Sequence, residues 1–452
     1  MARRHINKLG FVAPWPVRAS QSGPCEPHER PRKHNDADRA QRSSHHQAKG
    51  LLGDRGHNFN LCPSRDVGPV SSNGLKVATV TVMITSYDDY PIHQTSEPIA
   101  HPASGDANHY DRYFFNGYSR DGALFFAAAM GLYPNRHVMD ASFSVIVKGE
   151  QINVHASARA NNDRMLCTKI GPIEIQVMEP LRKHRILVDM KEHGVRADLV
   201  YTATSLPYEE PPFLVRAGNR TAMQYTRLTQ LGQWSGWIEV DGARIEVQPD
   251  TVIGSRDRSW GVRGIGERIQ QGAPANAIPQ FYWLWAPVCF ETFGTVFDVN
   301  EYADGQRWHE SGAMLVGDDT IRHAHRIDYQ YHYEAGTRRS EKFEVTYTFS
   351  NETAHLEFEP ITHFQMVGLG YLSADWGHGN WKGELETGGD RFQVPVETPM
   401  DMQHLHTQTL SHVTCTMSDG TQHKGIGILE TLVLGAHSPS GFTGLADGYT
   451  SQ

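Results

Sequence analysis

The most chemically loaded stretch of the chain is Gly254-Ser255-Arg256-Asp257-Arg258-Ser259-Trp260-Gly261-Val262-Arg263, one acid among three guanidinium groups beside an indole. An acid delivered to a carbon–carbon double bond in a dry pocket, with an aromatic face to stabilise the resulting cation, is one route to hydration or cyclisation of an alkene. Asp257 as proton donor or electrostatic anchor and Trp260 as the aromatic face fit that chemistry. The neighbouring arginines act against it, because cations on the same side hold a carboxyl group ionised. On that second reading Asp257 is a buried ion-pair hub that clamps one part of the fold to another.

Other residues could complete a pocket. In Gln280-Phe281-Tyr282-Trp283-Leu284-Trp285 a strand would send Phe281, Trp283 and Trp285 to one face, as core filling or as the wall of a site for a flat, greasy molecule. Trp237 precedes an Asp-Gly turn and reads as core or cavity lining. A weaker echo of the first motif, Ala374-Asp375-Trp376-Gly377-His378-Gly379, puts Trp376 and His378 beside flexible glycines. His323-Ala324-His325 and His404-Leu405-His406 have a two-residue spacing that metal sites use, but no third ligand stands at a diagnostic distance, so no metal is expected. A Gly-X-Ser-X-Gly elbow and a dinucleotide-type glycine motif are both absent, and Cys289 lies in an apolar run.

These side chains must be held by short strands. Trp237-Ile238-Glu239-Val240 and Ala243-Arg244-Ile245-Glu246-Val247 flank Asp241-Gly242, the strongest local hairpin signal. Similar pairs surround Lys148-Gly149 and Asp304-Gly305, and Tyr329, Tyr331, Tyr333 and Phe343, Val345, Tyr347 alternate with polar residues. Only 123–130 suggests a helix, and its apolar run also suits a buried strand. No repeated strand–helix–strand rhythm is visible. An all-β chain of two consecutive barrel-like domains, 83–265 and 266–452, is expected, with a glycine-rich seam near 264–275.

The 452 residues carry a formal net charge of −9 and are 39% hydrophobic, an ordinary globular balance with ample length for a core. The charge is unevenly spread: residues 1–75 hold 12 Lys+Arg against 6 Asp+Glu, which leaves 30 against 45 beyond them. That basic, Pro- and Ser-rich segment has no hydrophobic period; residues 1–82 read as a disordered extension from an over-extended translation start, with Met83 as the expected functional start. It lacks aromatic stacking residues in number, so no nucleic-acid partner is expected. No run approaches the roughly 20 apolar residues of a membrane helix, and the five cysteines lie too far apart for a disulfide framework. A cytoplasmic location is expected.

The Asp257-X-X-Trp260 element following the Trp237–Gly242 hairpin resembles the AttH/CrtC-like superfamily, which includes carotenoid 1,2-hydratases. Asp89-Tyr90-Pro91-Ile92-His93-Gln94 and Gly131-Leu132-Tyr133-Pro134-Asn135 add to the likeness, which spans roughly 83–445. The resemblance implies two lipocalin-like β-barrels around a greasy cavity. It also implies an enzyme that needs no cofactor and hydrates, cyclises or isomerises a C=C bond of an isoprenoid- or polyketide-like molecule. Asp257 and Trp260 would be catalytic, and Arg258, Trp237, Trp283, Trp285, Trp376 and His378 would bind the ligand. Arg258 stands where the hydratases carry His. The same cavity would equally serve a lipocalin-like carrier without turnover, or a catalytically idle module, and a greasy ligand would permit peripheral membrane contact.

Overall fold

The computed structural model describes residues 84–161, 168–265 and 279–450. Met83, the basic extension, the seam residues Gly266, Gly272 and Pro274, and Cys25, Cys62 and Cys167 lie outside the described residues.

The fold is all-β, with two large antiparallel sheets. Its turns follow from their residues. Asp241 and Gly242 have φ of 48° and 80°, and Lys148 and Gly149 have 53° and 81°. Two successive left-handed residues make the turn whose twist matches that of the flanking strands. Val240 accordingly pairs with Ala243, and Val147 with Glu150. The 123–130 run is a strand, Phe125–Tyr133, buried at every position. Phe126, Ala128 and Met130 fill the first sheet's core, while Phe125, Ala127 and Ala129 face a core shared with the second sheet. Burial on both faces removes the alternation that would otherwise mark a strand.

The first sheet runs from Leu385–Gln393 through Glu150–Arg159, Val138–Val147, Phe125–Tyr133, His109–Ser119, Val252–Val262 and Arg220–Val240 to Val195–Ala203, Lys183–Met190, Ile173–Glu179 and Lys169–Ile170. It curls, since Lys169–Ile170 packs back on Val138–Val147 and Glu150–Arg159. Its outermost strand, Leu385–Gln393, comes from the far half of the chain and covers the edge of Glu150–Arg159. The second sheet runs from Thr320–His323 through Arg307–Val316, Phe293–Glu301, Phe281–Trp285, Gln422–Leu434, His406–Met417, Thr353–Gln365 and Ser340–Thr348 to Arg326–Tyr333. Two residues join its first and last strands, which brings its ends together.

Each sheet wraps its own core, one around Trp234, Phe143 and Leu199, the other around Phe343, Leu284 and Leu356. A third core, with Phe114, Phe125 and Leu231 from the first sheet against Trp285, Phe364 and Leu410 from the second, welds the two. Among the described residues no helix is long and apolar enough to cross a membrane.

Candidate active site in the cavity between the sheets

Beside the shared core a cavity of about 650 Å³ remains between the sheets. Three adjacent strands of the first sheet supply one wall. His109–Ser119 contributes Tyr110, Arg220–Val240 contributes Tyr225 and Arg227, and Val252–Val262 contributes Asp257 and Ser259, with Arg263 just beyond. The second sheet supplies Trp283 and His406, and the loop after the turn Met366–Leu369 supplies Tyr371 and His378. Met223, Phe281, Leu432 and Leu434 make an apolar flank.

Asp257 sits in mid-sheet, opposite Phe114 on one side and Thr229 on the other. Among the described residues no donor hydrogen-bonds its carboxylate and no cation forms an ion pair with it. Burial pushes its pKa up to about 6, with Arg227, Arg112 and Arg263 opposing that and Glu430 reinforcing it. The ion-pair hub expected for Asp257 is therefore corrected. Alternation along an extended strand sends Arg256 and Arg258 to the face opposite Asp257. Arg256 Nε donates to Gln230 Oε1 at 2.9 Å, and Arg258 pairs with Asp111 and lies 4.2 Å over the Tyr113 ring.

The same parity corrects Trp260, three positions from Asp257. It points away from the cavity, is 41% exposed and lies beside Arg258. Trp237 is held on the sheet surface between Arg196 and Arg244, at 5.6 and 4.5 Å. Trp376 stacks on His155 at 5.2 Å and lies under Lys382. Trp283 and His378 do line the cavity. Trp285 is buried behind it, where its ring and that of Trp283 flank the Arg227 guanidinium at 5.5 and 5.1 Å. Those two indoles already hold a cation of the protein's own.

Arg227 is caged. Its Nε donates to Glu210 Oε2 at 2.6 Å and its Nη2 to Asp298 Oδ2 at 2.5 Å, with Phe213 stacked beneath. His309 Nε2 lies 3.1 Å from the same Asp298 oxygen, and Trp283 Nε1 donates to Asp298 Oδ1 at 2.9 Å. Burial and the charge of Asp298 push Glu210 up; burial opposes but Arg227 and His309 prevail in holding Asp298 down. Glu210, Asp298 and His309 are close enough to share a metal ion, but the guanidinium occupies the cation's place. Of the two His-X-His pairs in the sequence, His404 lies in the turn Met402–His404 and bonds Thr398 O, while His325 bonds Ser350.

Arg263 is the contrasting cation. Tyr110 lies 4.6 Å beneath it and Tyr371 5.7 Å away, and its Nη2 lies 3.5 Å from His378 Nδ1. Among the described residues no carboxylate pairs with it. His378 Nε2 bonds Leu369 O at 2.9 Å, which assigns the proton to Nε2 and leaves Nδ1 as acceptor. Burial and the nearby Arg112 and Arg263 hold this ring well below its ordinary pKa, so it is neutral. Arg112 Nη2 donates to the same Leu369 carbonyl at 3.1 Å, and Asp140 accepts from Gly379 N–H at 2.7 Å. These contacts fix the loop that carries Tyr371 and His378.

Opposite, His406 Nε2 bonds Glu430 at 2.7 Å, and Gln408 links Glu430 to Asn116 of the first sheet. Arg227, Tyr110, Tyr371 and Glu430 carried no motif. Arg263 and His406 were legible: Arg263 shares strand parity with Asp257, and His406 belongs to one of the histidine pairs.

Similarity to known proteins bears on the arrangement of strands alone. No curated protein sequence matches the chain. Among solved structures, kievitone hydratase from Nectria haematococca shares 12% identity at a TM-score of 0.46, over 71% of this chain and 88% of that one. A protein described as AttH from Nitrosomonas europaea shares 13% identity at 0.46, over 75% and 98%. CghA in complex with Sch210972 shares 10% at 0.42, over 73% and 89%. At those levels neither reaction nor ligand transfers to this chain. The model of a family of unknown function, DUF8625, matches residues 84–443, and the chain belongs to that family.

Proposed function

We propose that the protein is a cofactor-independent enzyme that hydrates, cyclises or isomerises a C=C bond in a hydrophobic, polyketide- or isoprenoid-like molecule. One juxtaposition carries the reading: Asp257 and Arg263 line one cavity beside an apolar flank, and among the described residues neither has a partner of opposite charge in contact with it. A free carbocation is disfavoured beside Arg227 and Arg263. An oxyanion is favoured there, so the reacting double bond is conjugated to a carbonyl group.

In this scheme the carbonyl oxygen docks on Arg263. Asp257, ionised at neutral pH and basic enough to accept a proton, takes one from the carbon next to the conjugated system. The electron pair moves onto the oxygen, where Arg263 stabilises the dienolate. Return of the proton from Asp257 to another carbon completes an isomerisation. For hydration, Asp257 takes the proton of a water whose oxygen bonds to the β-carbon, then returns it to the α-carbon. The apolar flank of Met223, Phe281, Leu432 and Leu434 takes the hydrocarbon body.

The test is mass spectrometry of organic extracts from a host that makes such compounds, expressing the full chain or Asp257→Asn. A compound bound by both proteins but altered only by the wild type supports the enzyme. The same compound unaltered in both supports a carrier, the second reading, which the apolar flank equally accommodates. Turnover that survives in Asp257→Asn removes Asp257 from the chemistry.

A further inference from the structure

A second cavity, of about 600 Å³, opens at the other side of the second sheet's core, lined by Tyr282, Glu301, Tyr331, Tyr333, His437 and Ser440 among others. It shares no lining residue with the first. Ser440 Oγ lies 2.7 Å from His437 Nδ1, and His437 Nε2 lies 3.0 Å from Glu301 Oε2. The polarity of this chain is set at its buried end. Glu301 can only accept, so His437 carries its proton on Nε2, leaving Nδ1 to accept the Ser440 hydroxyl proton. Glu301 is kept in place and ionised: Tyr329 O–H donates to its Oε1 at 2.7 Å. Burial alone would raise its pKa, but the hydrogen bonds from His437 and Tyr329 prevail and hold it below the usual value.

The imidazole is fixed as firmly. The Tyr282 ring stacks on it at 4.0 Å, and a short bridge between His437 and Phe442 closes the turn Ser438–Ser440 beneath. Ser440 is half-buried and lines the cavity. With its proton directed at His437, its oxygen accepts from Tyr333 O–H at 2.8 Å. Once Ser440 Oγ has bonded to an acyl carbon, that phenol would be free to donate to the acyl oxygen instead. A nucleophile, a base, a carboxylate that orients the base and a nearby donor are the parts that acyl transfer needs, whatever their order in the chain.

We infer that Ser440, His437 and Glu301 form a second, hydrolytic site that cleaves carboxylic esters bearing an aromatic group. Aryl esters fit because Tyr331, Tyr333 and Tyr449 present adjoining rings, with centroids 4.2 and 5.4 Å apart. Ser440 Oγ bonds to the ester carbon while its proton passes to His437 Nδ1. The carbon–oxygen bond to the alcohol then breaks, and the departing oxygen takes that proton. Water, deprotonated by His437, attacks the acyl-serine; the acid leaves and Ser440 recovers its proton. Glu301 is a positioning residue in this scheme.

The experiment uses the full chain with a fluorophosphonate probe and with p-nitrophenyl acetate. The expected result is one covalent adduct, mapped by mass spectrometry to Ser440. Saturable ester hydrolysis should fall to the uncatalysed rate in Ser440→Ala and by at least about 10²-fold in His437→Gln. Glu301→Gln should slow labelling and Glu301→Asp should restore it, with thermal melts showing that each variant is folded. No adduct, an adduct at another residue, or hydrolysis undiminished in folded Ser440→Ala overturns the inference.

Discussion

Asp257 is placed where its charge is costly. Its pKa of about 6 in the fold lies above the model-peptide value of 3.8, so folding favours the protonated form. Stability from this group is therefore fully present below pH 3.8 and is lost as the pH rises through 6. Asp257→Asn, which keeps shape and removes the charge, should raise unfolding free energy by about 1–3 kcal/mol at pH 8 and change it little near pH 4. Paired denaturant titrations at the two pH values check this, and a variant less stable than wild type at pH 8 would revive the clamp. The same substitution should lower kcat about 10²–10⁴-fold on a substrate that the wild type turns over. Wild-type kcat/KM, with Asp257 acting as base, should rise with pH through about 6 and then level off. A profile that falls through that range would make the acid form the active one. At this scale the sequence was half legible. The Asp257 motif stood out, but Trp260 and Arg258 were drawn to it by adjacency in sequence, when strand parity already set them on the other face. Arg227 and Tyr371 reach the cavity through long-range packing, which leaves no local trace.

The strands that carry the site tolerate little change. Gly254, three residues before Asp257, has the Asn116 carbonyl oxygen where a side chain would start; a Cβ there would lie 2.1 Å from it. Because the obstacle is backbone, it cannot move without parting Val252–Val262 from His109–Ser119. Gly254→Ala should cost about 2–4 kcal/mol and abolish binding in the cavity, measured by thermal melting and by retention of the extracted compound. Elements were the most legible scale, because Asp241-Gly242 and Lys148-Gly149 dictate their turns chemically. The stretch 123–130 was ambiguous because a strand buried on both faces loses the period of two that identifies it.

The whole molecule is joined more closely than its two-sheet plan suggests. The core of Phe114, Phe125 and Leu231 against Trp285, Phe364 and Leu410 is common property, and the strand Leu385–Gln393 belongs to the first sheet though it arises in the second half of the chain. Residues 84–265 expressed alone should therefore fail to give a soluble monomer, because the edge of Glu150–Arg159 and the Phe125 face would both be bare. Gel filtration and circular dichroism check this; a folded, monomeric fragment would show that the borrowed strand is dispensable. The sequence indicated two β-rich halves. It did not show the borrowed strand, because Leu385-Glu386-Thr387-Gly388-Gly389-Asp390-Arg391 has almost no apolar pattern and is specified by pairing with its neighbour.

That borrowed strand also sets an order of events during synthesis. The last strand of the first sheet drawn from its own half ends at Val262, yet the sheet's open edge is not covered until residue 393 has left the ribosome. At a translation rate of roughly 5–20 residues per second, some 130 residues take on the order of 10 s. Through that interval the nascent chain carries an unpaired edge, and whatever shields it in the cell must remain until the far half arrives.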